Sequence, residues 1–363
     1  MHISEIETPA ILIDLDIFER NLARVADYAK SQGLRLRPHT KTHKIPDIGR
    51  RQVELGAAGL TVAKVGEAEV MKNSGTPDLL LAYPVVGKSK LERLAKVAGE
   101  TAVTVALDNL ISAGQLSDAA RSAGVEFGVL VEIDAGLARV GVKPEEATGL
   151  AREIQKLPGL RLEGITFYPG HIKKSDHNAD DSIRALSDLV EGVLADFRKE
   201  GLDVKVVSGG STPLLWRSHE VRGVNEIRPG TYVFNDANTV RSGACDWSDC
   251  AASILVTVVS TARPGYMIID GGSKTFSSDR VVNSGEATFG RFANDPEVVF
   301  YNMNEEHGYV DIRKAGNGYA VGNRIQVIPN HICVAVNLHE RLYGIRGQSV
   351  ERIWEVEGRG KLQ

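Results

Sequence analysis

From residue 10 to about residue 235 the chain alternates between two hydrophobic textures. Strand-length apolar runs recur: AILIDLD (10–16), LRLRPHTK (34–41), GLTVA (59–63), DLLLAYP (78–84), AVTVALD (102–108), FGVLVEID (127–134), LEGITFYP (162–169), VKVVSGGS (204–211) and EIRPGTYVF (226–234). Between them lie amphipathic stretches such as FERNLARVADYAKSQ (18–32), whose apolar residues fall three and four apart, the spacing of one helix face. Repeated strand-then-helix units predict a parallel sheet, since each crossover helix covers one face of it. About eight such units, with no glycine fingerprint for a dinucleotide after the first strand, favour a closed barrel over a doubly wound sheet.

After residue 245 the texture changes. The runs ASILVTVVSTA, GYMIIDGG, EVVFYNM, GYVDI, RIQVIPNHICVAVNL and RLYGI are β-rich, separated by Gly, Asn and Asp, and contain no helical pattern. The expected architecture is therefore α/β, with an N-terminal (β/α)8 TIM-type barrel over residues 10–245 and an all-β domain over 246–363. Residues 1–9 are expected to pack on the β domain.

Composition narrows the function. The 363 residues are 42% hydrophobic and 25% charged, with a formal net charge of -4 and no basic stripe. That excludes an electrostatic footprint for nucleic acid or an anionic membrane and leaves small molecules as the expected partners. Cys245, Cys250 and Cys333 are too few and too oddly spaced for a disulfide framework. The opening MHISEIETPA lacks a secretion-signal pattern and no apolar run reaches the length of a membrane span, so a reducing cytoplasm is the expected compartment.

Polar residues gather at the ends of several expected strands. In LRLRPHTK, side chains two apart share a face, so Arg37, His39 and Lys41 point the same way, with Lys41 at the carboxyl end. A lysine buried there among cations would have its ammonium pKa lowered, giving the neutral amine that condenses with an aldehyde. A solvated basic strand end gives the same letters. The loops SGGSTP (208–213) and RPGTY (228–232) combine glycines with hydroxyls, as phosphate-binding turns at the last strands of a barrel do; ordinary turns share that composition. In NHIC, His331 and Cys333 stand two apart, which on a strand puts imidazole and thiolate on one face, suited to zinc with open positions for water or substrate. In TFYPGH, Tyr168 closes a strand and His171 follows in the loop.

Taken together and in order, RPHTKTHK, SGGSTP, RPGTY, NEEHG (304–308) and PNHICVAVNLH (329–339) resemble the D-threonine aldolase and D-serine dehydratase group of pyridoxal phosphate enzymes, whose fold is similar to alanine racemase. The resemblance implies that Lys41, not Lys44, holds the cofactor covalently, beside His39. It implies a phosphate site at Ser208, Gly209, Gly210, Ser211, Gly230, Thr231 and Tyr232, Arg139 facing the phenolic oxygen, and Tyr168 near the ring. It places a divalent metal on His331 and Cys333, zinc ahead of manganese or magnesium because of the thiolate. It further implies a D-amino acid substrate and a homodimer.

With those parts the expected activity is that of a D-threonine aldolase, retro-aldol cleavage of a D-β-hydroxy amino acid, with His171 taking the hydroxyl proton. A D-serine or 3-hydroxy-D-aspartate dehydratase is the alternative, and Cys333 leans that way. An amino-acid racemase and a non-catalytic pyridoxal phosphate carrier rank lower, since neither has use for a substrate-side metal.

Overall fold

The computed structural model describes all residues except 284–285 and 316–317. The chain divides into two compact units, one made of Met1–Leu22 and Thr231–Arg359, the other of Ala23–Gly230 and Gly360–Gln363. The family fold expected from the sequence is present: eight parallel strands curl into a β/α barrel, and an antiparallel-rich β domain accompanies them.

The domain assignment of the first strand needs correction. β1 (Ala10–Asp14) is not a barrel strand, so the barrel unit does not begin at residue 10, nor does it extend to 245. β1 pairs antiparallel with one neighbour and parallel with another inside the β unit's sheet. A strand covered on both faces is apolar at successive positions, whichever sheet it joins, and Ala10–Ile13 are all buried. Its unbroken hydrophobic run could not reveal which sheet it enters. Residues Ile3 and Ile6 pack with Leu12 and Leu255 in one hydrophobic cluster.

The barrel strands are β2 (Arg35–Leu36), β3 (Leu60–Val62), β4 (Asp78–Leu81), β5 (Ala102–Leu107), β6 (Phe127–Glu132), β7 (Leu160–Thr166), β8 (Val206–Gly209) and β9 (Glu226–Ile227), in spatial order β2-β9-β8-β7-β6-β5-β4-β3. The stretch after β2 approaches β3 through a parallel bridge between His39 and Thr61, supported by Thr61 N–H donating to Pro38 O at 2.8 Å. Alternation sorts the side chains. Leu79 and Leu81 of β4, with Val129 and Val131 of β6, face the helices in the large outer core. Leu80, Leu130 and Val206, from β4, β6 and β8, meet inside as one layer drawn from alternate strands.

The other sheet uses β10 (Ala252–Ser260), β11 (Tyr266–Ile269), β14 (Gly290–Phe292), β15 (Val299–Met303), β16 (Gly308–Asp311), β17 (Arg324–Pro329), β18 (Arg341–Arg346) and β19 (Ser349–Glu355), with β12 (Val281–Asn283) and β13 (Glu286–Thr288) forming a separate pair. β1 lies between β10 and β18. NEEHG is the turn between β15 and β16, closed by Asn304 N–H donating to His307 O at 2.9 Å. The unit is not free of helix: Ile332–Leu338 is a two-turn α-helix, where the sequence reads as a continuing strand. ICVAVNL is rich in β-branched residues, and its buried Ile332, Ala335 and Val336 satisfy helical spacing only once the preceding strand has stopped at Pro329. No helix among the described residues is long and apolar enough to cross a membrane.

One pH prediction arises from the barrel. His43 is fully buried, and burial lowers its pKa from 6.5 to about 4. The unfolded chain therefore binds a proton that the folded one refuses, so stability is flat above pH 6.5 and declines as pH falls from 6.5 towards 4. Chemical denaturation at pH 7.5 and 5 checks this; an unchanged midpoint would contradict it.

Candidate active site

The opening basic stretch keeps its strand phase only to His39. Arg37 points inward and is buried, but at Thr40 the chain leaves the strand for a single 3-10 turn, Thr40–Thr42, whose first turn is capped by Lys41 N–H donating to His39 Nδ1 at 3.4 Å. Lys41 therefore lies in that turn, exposed, rather than at a strand end. The two lysines differ sharply. Lys44, held at φ +57°, is buried and pairs with Glu67 at 3.2 Å, with both side chains nearly inaccessible. The Lys41 amine has no hydrogen bond or ion pair among the described residues. Burial, with Lys41, Arg228 and His43 nearby, drives His39 well below the ordinary imidazole pKa, so its ring is neutral.

Around this amine the barrel's carboxyl end presents a polar rim. Asp134 closes the turn after β6 by accepting from Gly136 and Ala138 N–H at 2.9 and 3.0 Å, which presents Arg139. The Arg139 guanidinium sits over the Tyr168 ring at 5.0 Å. Gly170 lies so close that a Cβ there would come within 2.2 Å of the same ring. His171 is exposed, against Gly136, with neither ring nitrogen hydrogen-bonded among the described residues.

The expected phosphate loops divide. Gly210 has φ +87°, open to glycine alone without strain, and the following Ser211 is 2% exposed with its Oγ lacking a partner among the described residues. Gly230 N–H donates to Thr212 Oγ1 at 3.2 Å, and a Cβ at Gly230 would come within 2.8 Å of His39 O. Ser208, by contrast, has its hydroxyl taken up: it donates to Glu226 Oε1 at 2.7 Å and accepts from Arg228 Nη1 at 2.6 Å. It is a barrel-interior residue and not a free phosphate donor. The Cα of Gly209 abuts the Phe167 ring, 2.6 Å from where a Cβ would be. In the other unit, Thr231 Oγ1 lies 3.6 Å from Cys333 Sγ, and Tyr232 is buried in the turn Thr231–Val233.

Two residues here escaped the sequence reading. Arg228 is 7% exposed and donates to Phe167 O at 2.9 Å as well as to Ser208. Glu132, at the end of β6, is buried, and its Oε2 has no hydrogen-bond partner among the described residues. Burial raises its pKa, opposed by Arg228 and Arg139 and reinforced by Asp108. Their signal was available: Glu226 and Arg228 stand two apart on one strand face, and a charged pair pointing into a barrel needs partners there.

In the β unit, His331 and Cys333 do meet, but not through strand alternation. His331 is the residue before the helix Ile332–Leu338 and Cys333 lies in its first turn. Their side chains hydrogen-bond, which is the main reason the His331 pKa is raised to about 9. His331 Nδ1 also pairs with Asp279 Oδ2 at 2.9 Å, the carboxylate-behind-imidazole arrangement that orients metal-bound histidines. The buried Asp236 accepts from Ile332 N–H at 3.0 Å and fixes the backbone between the two donors. Among the described residues no group of three or more His, Cys, Asp or Glu is arranged to hold a metal ion. An imidazole and a thiolate are a borderline-soft pair that suits zinc if water or substrate completes the coordination. Cys245 and Cys250 are free thiols that hydrogen-bond to each other.

Within the barrel unit, an uncommitted amine, a neutral imidazole, an arginine–tyrosine pair and a glycine turn with an orphaned buried hydroxyl fit pyridoxal phosphate. Fold and cradle together define a pyridoxal phosphate-dependent lyase of the alanine racemase-like class. The sequence matches the alanine racemase N-terminal domain family over residues 13–238 and the putative serine dehydratase domain family over residues 251–345. The chain belongs to this two-domain group. It is 34% identical to a 3-hydroxy-D-aspartate aldolase of Paracoccus denitrificans (strain Pd 1222), covering 99% of this chain and 93% of that one. Among solved structures, the D-threonine aldolase from Filomicrobium marinum superposes with a TM-score of 0.90 at 33% identity, covering 99% of this chain and 97% of the other. A variant of D-threo-3-hydroxyaspartate dehydratase in a metal-free form gives a TM-score of 0.85 at 29% identity, covering 98% of each.

Proposed function

We propose that the protein cleaves D-β-hydroxy amino acids by retro-aldol reaction, in the manner of a D-threonine aldolase, with Lys41 holding pyridoxal phosphate and with His331 and Cys333 holding a divalent metal, zinc ahead of manganese or magnesium. The observation that carries the reading is the contrast between two lysines three residues apart: Lys44 is committed to Glu67, whereas Lys41 is free beside the neutral His39. When bound, the cofactor supplies an electron sink for charge developing at Cα. Ser211 and the Gly210 turn would hold its phosphate, and Arg139 and Tyr168 would contact the rest of it. His331 and Cys333 would hold the metal, which would supply Lewis-acid chemistry that makes a hydroxyl proton easier to remove.

His171 favours cleavage over dehydration. Its imidazole is exposed and has no hydrogen bond among the described residues, so it can take the β-hydroxyl proton; the Cα–Cβ bond then breaks, the aldehyde leaves, and a proton delivered to Cα completes glycine. The dehydratase alternative needs no base at that oxygen. There Lys41 would take the Cα proton and the hydroxyl would leave, giving an α-keto acid and ammonia. The names of the relatives span both outcomes.

Product analysis decides. With D-threonine or 3-hydroxy-D-aspartate and zinc or manganese, the expected products are glycine with acetaldehyde or glyoxylate, and L-threonine is expected to be left intact. Ammonia with an α-keto acid would replace the proposal by the dehydratase reading. Full activity in the presence of a strong chelator would remove the metal from it. A homodimer is part of the same proposal, to be checked by sedimentation.

A further inference from the structure

A line of buried polar side chains crosses the barrel interior, and the proposed reaction makes no use of most of it. Arg37 Nη2 donates to Asp78 Oδ2 at 3.0 Å, and Arg37 Nε stands 3.0 Å from Glu226 Oε2. The Ser208 hydroxyl donates to Glu226 Oε1, Arg228 Nη1 donates to Ser208 Oγ, and Arg228 Nη2 donates to the carbonyl of Phe167. Glu226 and Ser208 are wholly buried, Arg37 and Arg228 nearly so. At the strands' amino ends the line reaches a cavity of about 130 Å³ lined by Arg35, Asp78, Glu126, Arg161 and Glu163 among others. At the carboxyl end the charge of Arg228 acts on His39 and on Glu132.

The chemistry of the partners gives this line a direction. A carboxylate only accepts and a guanidinium only donates, so a hydroxyl between them has a single orientation. With Nη1 and Nη2 both engaged, the guanidinium plane cannot rotate, and leaving either partner unpaired in this interior is costly.

We infer that Glu226 is a positioning residue for the cofactor end of the barrel: through the Ser208 hydroxyl it holds Arg228 in one plane, so that a fixed cation faces the end where His39 and Lys41 lie. The inference rests on the reading that this barrel holds pyridoxal phosphate. It adds that the electrostatics of the cofactor are set partly from the barrel's interior, by groups that never touch it. Glu226→Gln removes the negative charge, leaves Arg37 and Arg228 without their shared counter-ion, and lets the Ser208 hydroxyl turn. The site becomes more positive, so the protonated form of the bound chromophore is disfavoured.

The test is a pH titration of the absorption bands of bound cofactor in purified holoenzyme, wild type against Glu226→Gln, with thermal unfolding as a check on folding. The expected result is a fall in the apparent pKa of the chromophore by about one unit, equivalent to about tenfold in its protonation equilibrium. A purely structural role would lower the melting temperature and leave that titration where it is. Ser208→Ala breaks the same link while leaving the Glu226 charge and the Arg37–Glu226 pair in place, so it reads the positioning alone: a shift of the chromophore pKa in this variant is expected, and an unshifted titration in a folded Ser208→Ala protein overturns the inference. A wild-type protein that titrates normally beside an unshifted variant overturns this inference alone. A wild-type protein that takes up no cofactor overturns the functional reading and the inference together.

Discussion

In Lys41→Ala, the yellow, borohydride-reducible cofactor label is expected to disappear and turnover with a D-β-hydroxy amino acid to fall below about a thousandth of wild type, as for loss of a covalent catalytic group. The neighbouring lysine gives the opposite pattern. Lys44 and Glu67 form a buried pair at 3.2 Å, and Glu67 also accepts from Ala63 N–H at 2.7 Å. Lys44→Ala leaves that carboxylate charged and unpaired in the interior, a loss of about 3–5 kcal/mol in folding stability. The label should nevertheless remain in the Lys44→Ala protein, since the Lys41 amine is untouched. Peptide mapping after borohydride reduction separates the two lysines, and a label found on Lys44 would refute the assignment.

The second large effect concerns the two donors of the β unit. His331→Ala and Cys333→Ala are each expected to lose bound metal and to drop turnover by about two to three orders of magnitude, while retaining the cofactor absorbance of wild type. Unchanged turnover in both would place the metal outside the mechanism. The pH dependence of binding has a definite sign. Before metal enters, the hydrogen bond to Cys333 holds the His331 pKa up to about 9, so metal must displace a proton from the imidazole. Affinity for zinc should therefore rise with pH up to about 9 and level off above it. Competition against a chromophoric chelator between pH 6 and 10 measures this, and an affinity independent of pH over that range would show that His331 is not a ligand.

The chain's residues told unevenly where these groups would be. Most of the middle barrel strands, from GLTVA to VKVVSGGS, lie where their apolar runs place them, because a parallel strand buried on both faces is hydrophobic at nearly every position. The same property misassigned β1, whose run is equally apolar but serves the other sheet. The strand phase that singled out Lys41 does not hold: alternation carries Arg37 and His39 inward, and then a 3-10 turn breaks the phase before Lys41. What separates it from Lys44 is Glu67, 23 positions along the chain from Lys44, which no local pattern reports. His331 and Cys333 repeat the lesson, since a spacing of two suggested a strand and the first turn of a helix brings them together instead. Ser208 reads as a loop hydroxyl until Glu226 and Arg228 are seen on either side of it. Pairing between distant residues, not local propensity, is what the letters leave out.

The placement of β1 between β10 and β18 bears on how the polypeptide is made. During synthesis this strand emerges before every barrel strand, while its partner residues 252–255 and 342–345 follow some 240 and 330 residues later. The barrel segment between them is delivered in sequence order and pairs largely with neighbours along the chain, so it can condense as it appears, whereas β1 must wait for both flanks. The nine-stranded sheet thus has to be completed around a strand made before the barrel, by flanks made after it.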